Sequence, residues 1–365
     1  MHVLHLETGR RLYGGARQVL WLAQGLAGRG VDSTILCAAG SELLAAARDA
    51  GLRAEGLPVP GDIDPTLAFR LVRRLRALRP DLVHLHSRRG ADSWGLLAAR
   101  RCGLPVVLSR RVDEPLGALT KQRLRRADRV IAISAGVAAV LRAGGIADER
   151  LRVVRSAVPP ARRPAWPLQR FRETFGLHPA DRPVAVVAQF IPRKGHRLLL
   201  AAALRARAAE PRLRLLLFGS GPLEAALRAE FAAAGLGDTV CFAGYRPDLA
   251  NFLGHCELLL HPARREGLGV ALLEAQAAGL PVVGHAVPGV AEAVRDGRSG
   301  LLVPPGDPDA LAAALLRLLR DAGLRRRLGA AARERAAREF GIDAMVDGNL
   351  AVYRELLPAT REARA

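Results

Sequence analysis

Residues 261–289 read HPARREGLGVALLEAQAAGLPVVGHAVPG, and this stretch decides the fold. It runs from the end of a strand through an acidic, Gly-rich turn into a helix, then through a short turn into a second strand. Gly267 and Gly269 let the backbone fold tightly and approach a ligand. A helix opening near Gly269 aims its N–H groups and the positive end of its dipole at the turn, which suits a phosphate. Glu266 lies in the turn, and Glu274 lies about 7–8 Å along from the helix start at ~1.5 Å per residue. The two carboxylates thus flank room for an anion, each facing a hydroxyl-bearing ring, as a sugar–diphosphate–ribose ligand requires. The two Glu taken alone fit equally well a surface turn ahead of an amphipathic helix.

Outward from this stretch the chain repeats one rhythm. On the N-terminal side, strands are predicted over 2–6, 32–38, 52–57, 81–86, 105–109, 129–134 and 151–154. Helices are predicted over 16–29, 41–50, 66–78, 90–101, 120–127 and 135–143, with Ser41 as an N-cap. Pro159, Pro160, Pro164 and Pro167 then interrupt both patterns and mark a linker. The rhythm restarts with strands at 184–189, 213–218, 240–243, 257–261 and 300–303. Helices are expected at 196–209, 223–234, 249–255, 310–320, 324–338 and 343–357. Short apolar strands alternating with helices imply parallel βαβ units, hence an α/β chain of two Rossmann-like domains of similar size.

The chain has 365 residues, enough for two domains that each bury a core. No apolar run reaches the ~18–20 residues of a membrane span, and MHVLHLETGR does not read as a signal peptide. Cys37, Cys102, Cys241 and Cys256 are scattered, without metal-ligand spacing, as buried thiols of a reducing compartment are. A cytoplasmic location is expected. Of the formal net charge of +20, residues 1–163 carry +14. A basic first half fits nucleic acid, an anionic membrane surface or a phosphorylated substrate, although Arg-rich composition accounts for part of it. With 53 Arg in the chain, the two Lys, Lys121 and Lys194, stand out as positions that need a compact point charge.

Four further constellations carry chemistry. VAQFIPRKGH (187–196) follows the first strand of the second domain, at the sheet edge where ligands bind. Arg193 and Lys194 there are placed to neutralise a diphosphate and to stabilise its charge as it leaves; a solvated basic turn is the plainer alternative. LLLFGSGPLEAAL (215–227) starts a dinucleotide fingerprint with Gly219 and Gly221, but Glu224 replaces the third Gly, so it marks close backbone approach to a ligand rather than an NAD site. Gly14 and Gly15 after the first strand present N–H groups to a phosphate or simply lead into a helix. In DLVHLHSRRG (81–90), His84 and His86 share one strand face with no third ligand in the pattern to make a metal site. Of the Asp-x-Asp pairs, Asp62/Asp64 lies in a loop and Asp307/Asp309 caps a helix.

Together these residues resemble the family 4 glycosyltransferases, retaining enzymes of GT-B fold that use nucleotide sugars. The likeness spans nearly the whole chain. Its strongest part is EGLGVALLEAQAAGLPVV (266–283), which matches the family's Glu-x7-Glu signature. RKG at 193–195, FGSGP, FAGYRPDL at 242–249 and GLLVPPGDPDAL at 300–311 follow in the family's order. The chain is also similar to enzymes that build bacterial envelope glycans such as the lipopolysaccharide core.

The resemblance implies two parallel-sheet domains facing a cleft. Residues 1–160 would form the acceptor side, 161–342 the nucleotide-sugar side, and 343–365 a helix crossing back to the first domain. It implies that Glu266, Arg193 and Lys194 are catalytic, Glu266 binding hydroxyls of the transferred sugar and the two cations holding the diphosphate with help from Gly14 and Gly15. Gly267, Leu268, Gly269 and Val270 would hold sugar and diphosphate through backbone groups, Glu274 the ribose, and Gly219, Tyr245 and Arg246 would line the nucleotide. Where the family often has a His, this chain has Arg110–Arg111, so Arg111 and His86 fall on the acceptor side. The additional Arg that some relatives carry near Ala188–Gln189 is absent. No cofactor or metal is expected beyond the nucleotide sugar itself, and the acceptor is a glycan or glycolipid at an anionic inner-membrane surface. A catalytically silent sugar-nucleotide-binding protein, a nucleic-acid-binding protein and a dinucleotide oxidoreductase remain as alternatives. Few aromatics and no recognisable module weigh against nucleic acid, and the incomplete fingerprint weighs against the oxidoreductase.

Overall fold

The computed structural model describes residues 1–61, 64–86, 90–160 and 163–357; Asp62 of the first Asp-x-Asp pair lies outside them. The chain forms two compact units, one of Met1–Ala157 with the chain from Ile342 onward, the other of Val158–Gly341.

In the first unit the elements run β1 (His2–Glu7), α1 (Gly14–Ala27), β2 (Asp32–Ala38), α2 (Glu42–Asp49), β3 (Ala54–Leu57), α3 (Thr66–Leu78), β4 (Leu82–Leu85) and α4 (Leu96–Arg101). They continue β5 (Val106–Arg110), α5 (Ala118–Arg126), β6 (Arg129–Ala132), α6 (Ala135–Ala143) and β7 (Leu151–Val153). The seven strands pair in parallel in the order β3-β2-β1-β4-β5-β6-β7. Helices cover both faces, so a central strand such as β4 is buried at every residue. The Ser41 hydroxyl caps α2 by accepting from Leu44 N at 3.3 Å.

The second unit runs α7 (Leu168–Phe175), β8 (Arg182–Val187), α8 (His196–Ala209), β9 (Leu213–Phe218), α9 (Glu224–Ala233), β10 (Val240–Gly244), β11 (Leu258–His261), α10 (Val270–Ala277) and β12 (Val282–His285). Then come α11 (Pro288–Ala293), β13 (Gly300–Val303), α12 (Pro308–Arg320) and α13 (Ala322–Glu339). Its six parallel strands are ordered β10-β9-β8-β11-β12-β13 around a core of Val184, Val186, Leu215, Leu217, Leu258 and Leu260. Asp307 caps α12 by accepting from Asp309 N and Ala310 N. The last helix, α14 (Ile342–Leu356), belongs to the first unit. There Arg29 bonds Asp343 and Asp347 at 2.9 and 2.6 Å.

Four local expectations are corrected. Gly14 and Gly15 are the first two residues of α1, not a turn before it. The helix expected at 90–101 opens with a π-helical turn, Ala91–Gly95. The one expected at 249–255 is two 3-10 turns, split at Phe252, whose φ of −144° leaves the helical region. Two helices were not legible, α7 and α11, which enter on Pro167 and Pro288, residues preset for helix starts. Eight and six residues are too few for periodicity to reveal them. Among the described residues, no helix is long and apolar enough to cross a membrane.

In each sheet, strand order reverses once, between β1 and β4 and between β8 and β11. Open α/β sheets bind ligands beyond the C-terminal ends of the strands at such a reversal. Gly14–Gly15, His86, Arg193–Lys194 and Glu266 follow these four strands, whereas Arg111, Gly219 and Tyr245–Arg246 follow β5, β9 and β10.

Candidate active site

In the second unit the chain leaving β8 makes a 3-10 turn, Pro192–Lys194, and reverses at Gly195 with φ of 74°. A Cβ on Gly195 would lie 1.9 Å from Pro262 O, so only glycine lets this turn press against the segment leaving β11. Arg264 N donates to Arg193 O at 2.9 Å and ties the two segments together. That registration brings Lys194 to Glu266.

The Glu266 carboxylate, 6% exposed, is densely supplied with donors. Lys194 Nζ and His261 Nε2 both donate to Oε2, the latter at 3.0 Å. Gly267 N donates to Oε1 at 3.2 Å, and Arg193 Nη1 stands 4.0 Å from the same oxygen. Burial opposes ionisation of Glu266, but the Lys194 charge and the His261 and Lys194 hydrogen bonds outweigh it. The carboxyl therefore sits well below the usual carboxylate range. Being ionised, it only accepts, so His261 carries its hydrogen on Nε2. Burial holds His261 below the ordinary imidazole value, although Glu266 pulls the other way. Two more buried histidines stand near: His285, with Nδ1 3.3 Å from Ala263 O, and His196, pushed down to about 4 by burial and by the charges of His261 and Lys194. Sequence reasoning passed over all three, although His261 opens the decisive stretch and His196 directly follows Lys194–Gly195.

The turn after Glu266 leads through buried Gly267 and Leu268 to Gly269, the left-handed N-cap of α10. Val270 begins the helix, whose first turn carries no acidic side chain to neutralise its positive end. Glu274 follows within α10 and is half-buried.

The remaining second-unit candidates each have defined structural contacts. Gly219 is needed because a Cβ there would lie 2.0 Å from Ala188 O, and its N–H is spent on Gly244 O at 2.9 Å. Arg246 forms a bidentate pair with Asp248, both bonds 2.8 Å, and lies over the rings of Trp166, Phe175 and Phe252. The structure thus seats the Arg246 guanidinium against an aromatic cluster. Half-buried Tyr245 precedes it.

In the first unit, β1 and β4 place three histidines together. His86 Nε2 lies 3.0 Å from His5 Nδ1, and Arg111 Nη2 lies 3.3 Å from His86 Nδ1. His84 bonds Tyr353 Oη at 2.6 Å and Ser109 Oγ at 2.8 Å. His5 is the third ring that the sequence pattern did not offer, so the reason given for dismissing a metal there is corrected. Guanidinium only donates, so His86 accepts at Nδ1 and carries its hydrogen on Nε2, pointing at His5. The facing nitrogens of His5 and His86 then share a hydrogen. Burial, with neighbouring positive groups, holds all three rings far below the ordinary value.

Burial draws the Arg111 guanidinium down to about 10 against the pull of Glu7 and Tyr353. Arg111 Cδ lies 3.5 Å from the position a Gly15 Cβ would take. The structure therefore joins His86, Arg111 and Gly15, which the sequence reading had divided between acceptor and donor sides.

Comparison with known proteins matches both units. Residues 13–162 match the family described as Glycosyltransferase Family 4, and residues 169–335 match Glycosyl transferases group 1. The chain is 32% identical to the 2-deoxystreptamine glucosyltransferase of Streptomyces kanamyceticus, over 81% of this chain and 82% of that one. It is 36% identical to the D-inositol 3-phosphate glycosyltransferase of Acidothermus cellulolyticus, over 60% and 51% of the two chains. Among solved structures, Anabaena HepE in complex with UDP and glucose superposes with a TM-score of 0.85 at 20% identity, covering 98% of this chain and all of that one. A glycosyltransferase of Rickettsia africae gives 0.84 at 19%, covering 98% and 99%. These likenesses show a shared fold of GT-B type.

Proposed function

The chain belongs to the family 4 glycosyltransferases, and from that premise we propose a retaining, metal-independent transfer of a hexosyl group from a nucleotide-diphosphate sugar. The observation that carries the reading is the buried Lys194–Glu266 pair at the β8/β11 reversal, beside the open N-terminus of α10. Lys194, Arg193 and that helix end supply positive charge where a leaving diphosphate needs it. Glu266, held ionised, accepts from hydroxyls of the transferred sugar, and Glu274 from those of the ribose. Gly14 and Gly15 at the start of α1 offer N–H groups to a phosphate. Attack and departure take place on one face of the sugar.

The acceptor we propose is a glycan or glycolipid of the bacterial envelope. A basic first unit supports it, and so does α3. Its exposed side carries Phe69, 73% exposed, with Arg73 and Arg76 at helical spacing, and neither Arg has an ion-pair partner among the described residues. Arg70 and Arg74, by contrast, pair with Asp64 and Glu55. An apolar tip among unpaired cations suits a peripheral stay on an anionic leaflet. The names of the relatives favour a second reading, a small cyclitol acceptor such as 2-deoxystreptamine or inositol 3-phosphate.

One experiment tests the core of the reading. Sugar nucleotides, UDP-glucose first, are screened for thermal stabilisation, and the best is assayed with envelope lipids, 2-deoxystreptamine and inositol 3-phosphate. Transfer insensitive to chelator, with the product's anomeric configuration unchanged by NMR, is expected. Stabilisation by none of the sugar nucleotides sinks the proposal.

A further inference from the structure

We infer that His261 is the positioning residue of the sugar site: its Nε2–H holds the Glu266 carboxylate in place when the charge of Lys194 is drawn to the donor diphosphate. The inference rests on the donor reading above and deepens it.

Without donor, Glu266 and Lys194 satisfy each other in a nearly dry site. A diphosphate brings more negative charge than one carboxylate, so the ammonium turns toward it. Glu266 then keeps two neutral donors, Gly267 N and His261 Nε2. Gly267 is the next residue in the turn and moves with Glu266. His261 does not move with it. Its backbone is fixed in β11, paired with Gly284 of β12. A Cβ on Gly284 would lie 3.5 Å from that of His261 and 3.0 Å from its carbonyl oxygen, so the glycine leaves the room in which the strand carrying His261 is seated.

The ring is 1% exposed, and its Nδ1 has no hydrogen-bond partner among the described residues. Its one polar tie is Glu266. A buried imidazole with a single partner, fixed on a central strand, is built to present one N–H to one carboxylate. A carboxylate buried in this way and stripped of that donor turns or draws in water, and its lone pairs no longer meet the sugar hydroxyl. The affinity that the sugar adds to the nucleoside diphosphate therefore runs through His261.

Two variants separate this role from a structural one. His261→Gln keeps an N–H at similar reach; His261→Met keeps the volume and loses the donor. Affinities are measured by calorimetry on the full chain with UDP and UDP-glucose, and with GDP and GDP-mannose. For a donor that binds the wild type, the Met variant is expected to bind the sugar nucleotide about tenfold more weakly, as loss of a hydrogen bond to a charged group implies. Affinity for the free diphosphate stays unchanged, and Gln restores most of the difference. Equal losses for sugar nucleotide and diphosphate, no loss at all, or a Gln variant as poor as Met overturns the inference. Binding of none of the four probes by wild type overturns the donor reading instead, and this inference with it.

Discussion

Lys194 and Glu266 stand 72 residues apart in the chain and share a buried ion pair, with side-chain exposures of 11% and 7%. Removing one partner leaves the other's charge in a site that water barely reaches. Lys194→Ala is therefore expected to cost about 3 kcal/mol of stability, the usual scale for breaking a buried pair. Lys194→Ala with Glu266→Gln should recover most of that, because no buried charge remains. Turnover should stay low in both, since the leaving diphosphate has lost its cation. A double-mutant cycle from urea unfolding measures the coupling, and additive losses would show that the pair is not coupled in the folded protein.

The depressed titration of His196 makes a statement about pH. A base held at about 4 when folded and near 6.5 when unfolded binds its proton more readily in the unfolded chain. Its contribution to stability is complete above pH 6.5 and is lost progressively as pH falls toward 4, up to about 3 kcal/mol. His196→Leu should flatten the pH dependence of unfolding in that window while changing stability little at pH 8. An unaltered slope between pH 6.5 and 4 would place the titration elsewhere.

Gly15 separates stability from function. Its Cβ would make only ordinary contacts, 3.5 and 3.9 Å from Arg111 Cδ and Nε, and its φ is not positive. Gly15→Ala should fold as well as the wild type or gain up to about 1 kcal/mol, as Gly→Ala changes in helices do. On the proposed reading the added methyl crowds a phosphate at the first turn of α1, so donor affinity should drop about tenfold, a loss of about 1.4 kcal/mol. A raised melting temperature with wild-type KM for the donor would remove Gly15 from the site.

What the sequence made legible divides along physical lines. Alternating apolar runs and helical periods reveal both parallel sheets, because each short strand buried on two faces must be apolar throughout. The scarcity of lysine pointed to Lys194 as a place for a compact charge, and the structure seats that ammonium beside Glu266. His261 was missed because a lone histidine at a strand end has no local signal; its meaning comes from a carboxylate in the turn that follows. His5 joined His84 and His86 only once strand order set β1 beside β4, which no spacing within 81–90 encodes. Arg246 fits the nucleotide motif in sequence, but its pairing with Asp248 and its stacking on three aromatic rings, two of them more than 70 residues back in the chain, show only in the fold.

The exposed side of α3 should decide membrane attachment. Phe69→Ser with Arg73→Glu and Arg76→Glu removes the apolar tip and reverses two charges that have no ion-pair partner among the described residues, on a helix whose buried side is Leu67, Leu71 and Leu75. Folding should be little affected. Sedimentation with anionic vesicles should fall sharply, while transfer to a small water-soluble acceptor continues. Wild-type binding that ignores both lipid charge and salt would discard the membrane proposal.

Glu274 is expected to recognise the ribose of the donor. It lies on α10 five residues after the Gly269 cap, on a helix whose Leu272, Leu273 and Ala275 are buried while Glu274 itself is half-buried. A site that accepts from a sugar hydroxyl rejects an analogue lacking it, because the carboxylate is then left without its donor. The wild type should therefore prefer the sugar nucleotide it binds over the 2′-deoxyribose or 3′-deoxyribose analogue of that donor by about tenfold or more in kcat/KM. Glu274→Ala should lower kcat/KM for that donor, chiefly through KM, and leave the deoxy analogue nearly untouched, so that the preference collapses toward one. A variant that loses equally on both substrates would mean that Glu274 supports the helix and not the ribose. The collapse of the preference isolates the hydroxyl contact from every general effect of the substitution, since both substrates share the same base, diphosphate and sugar.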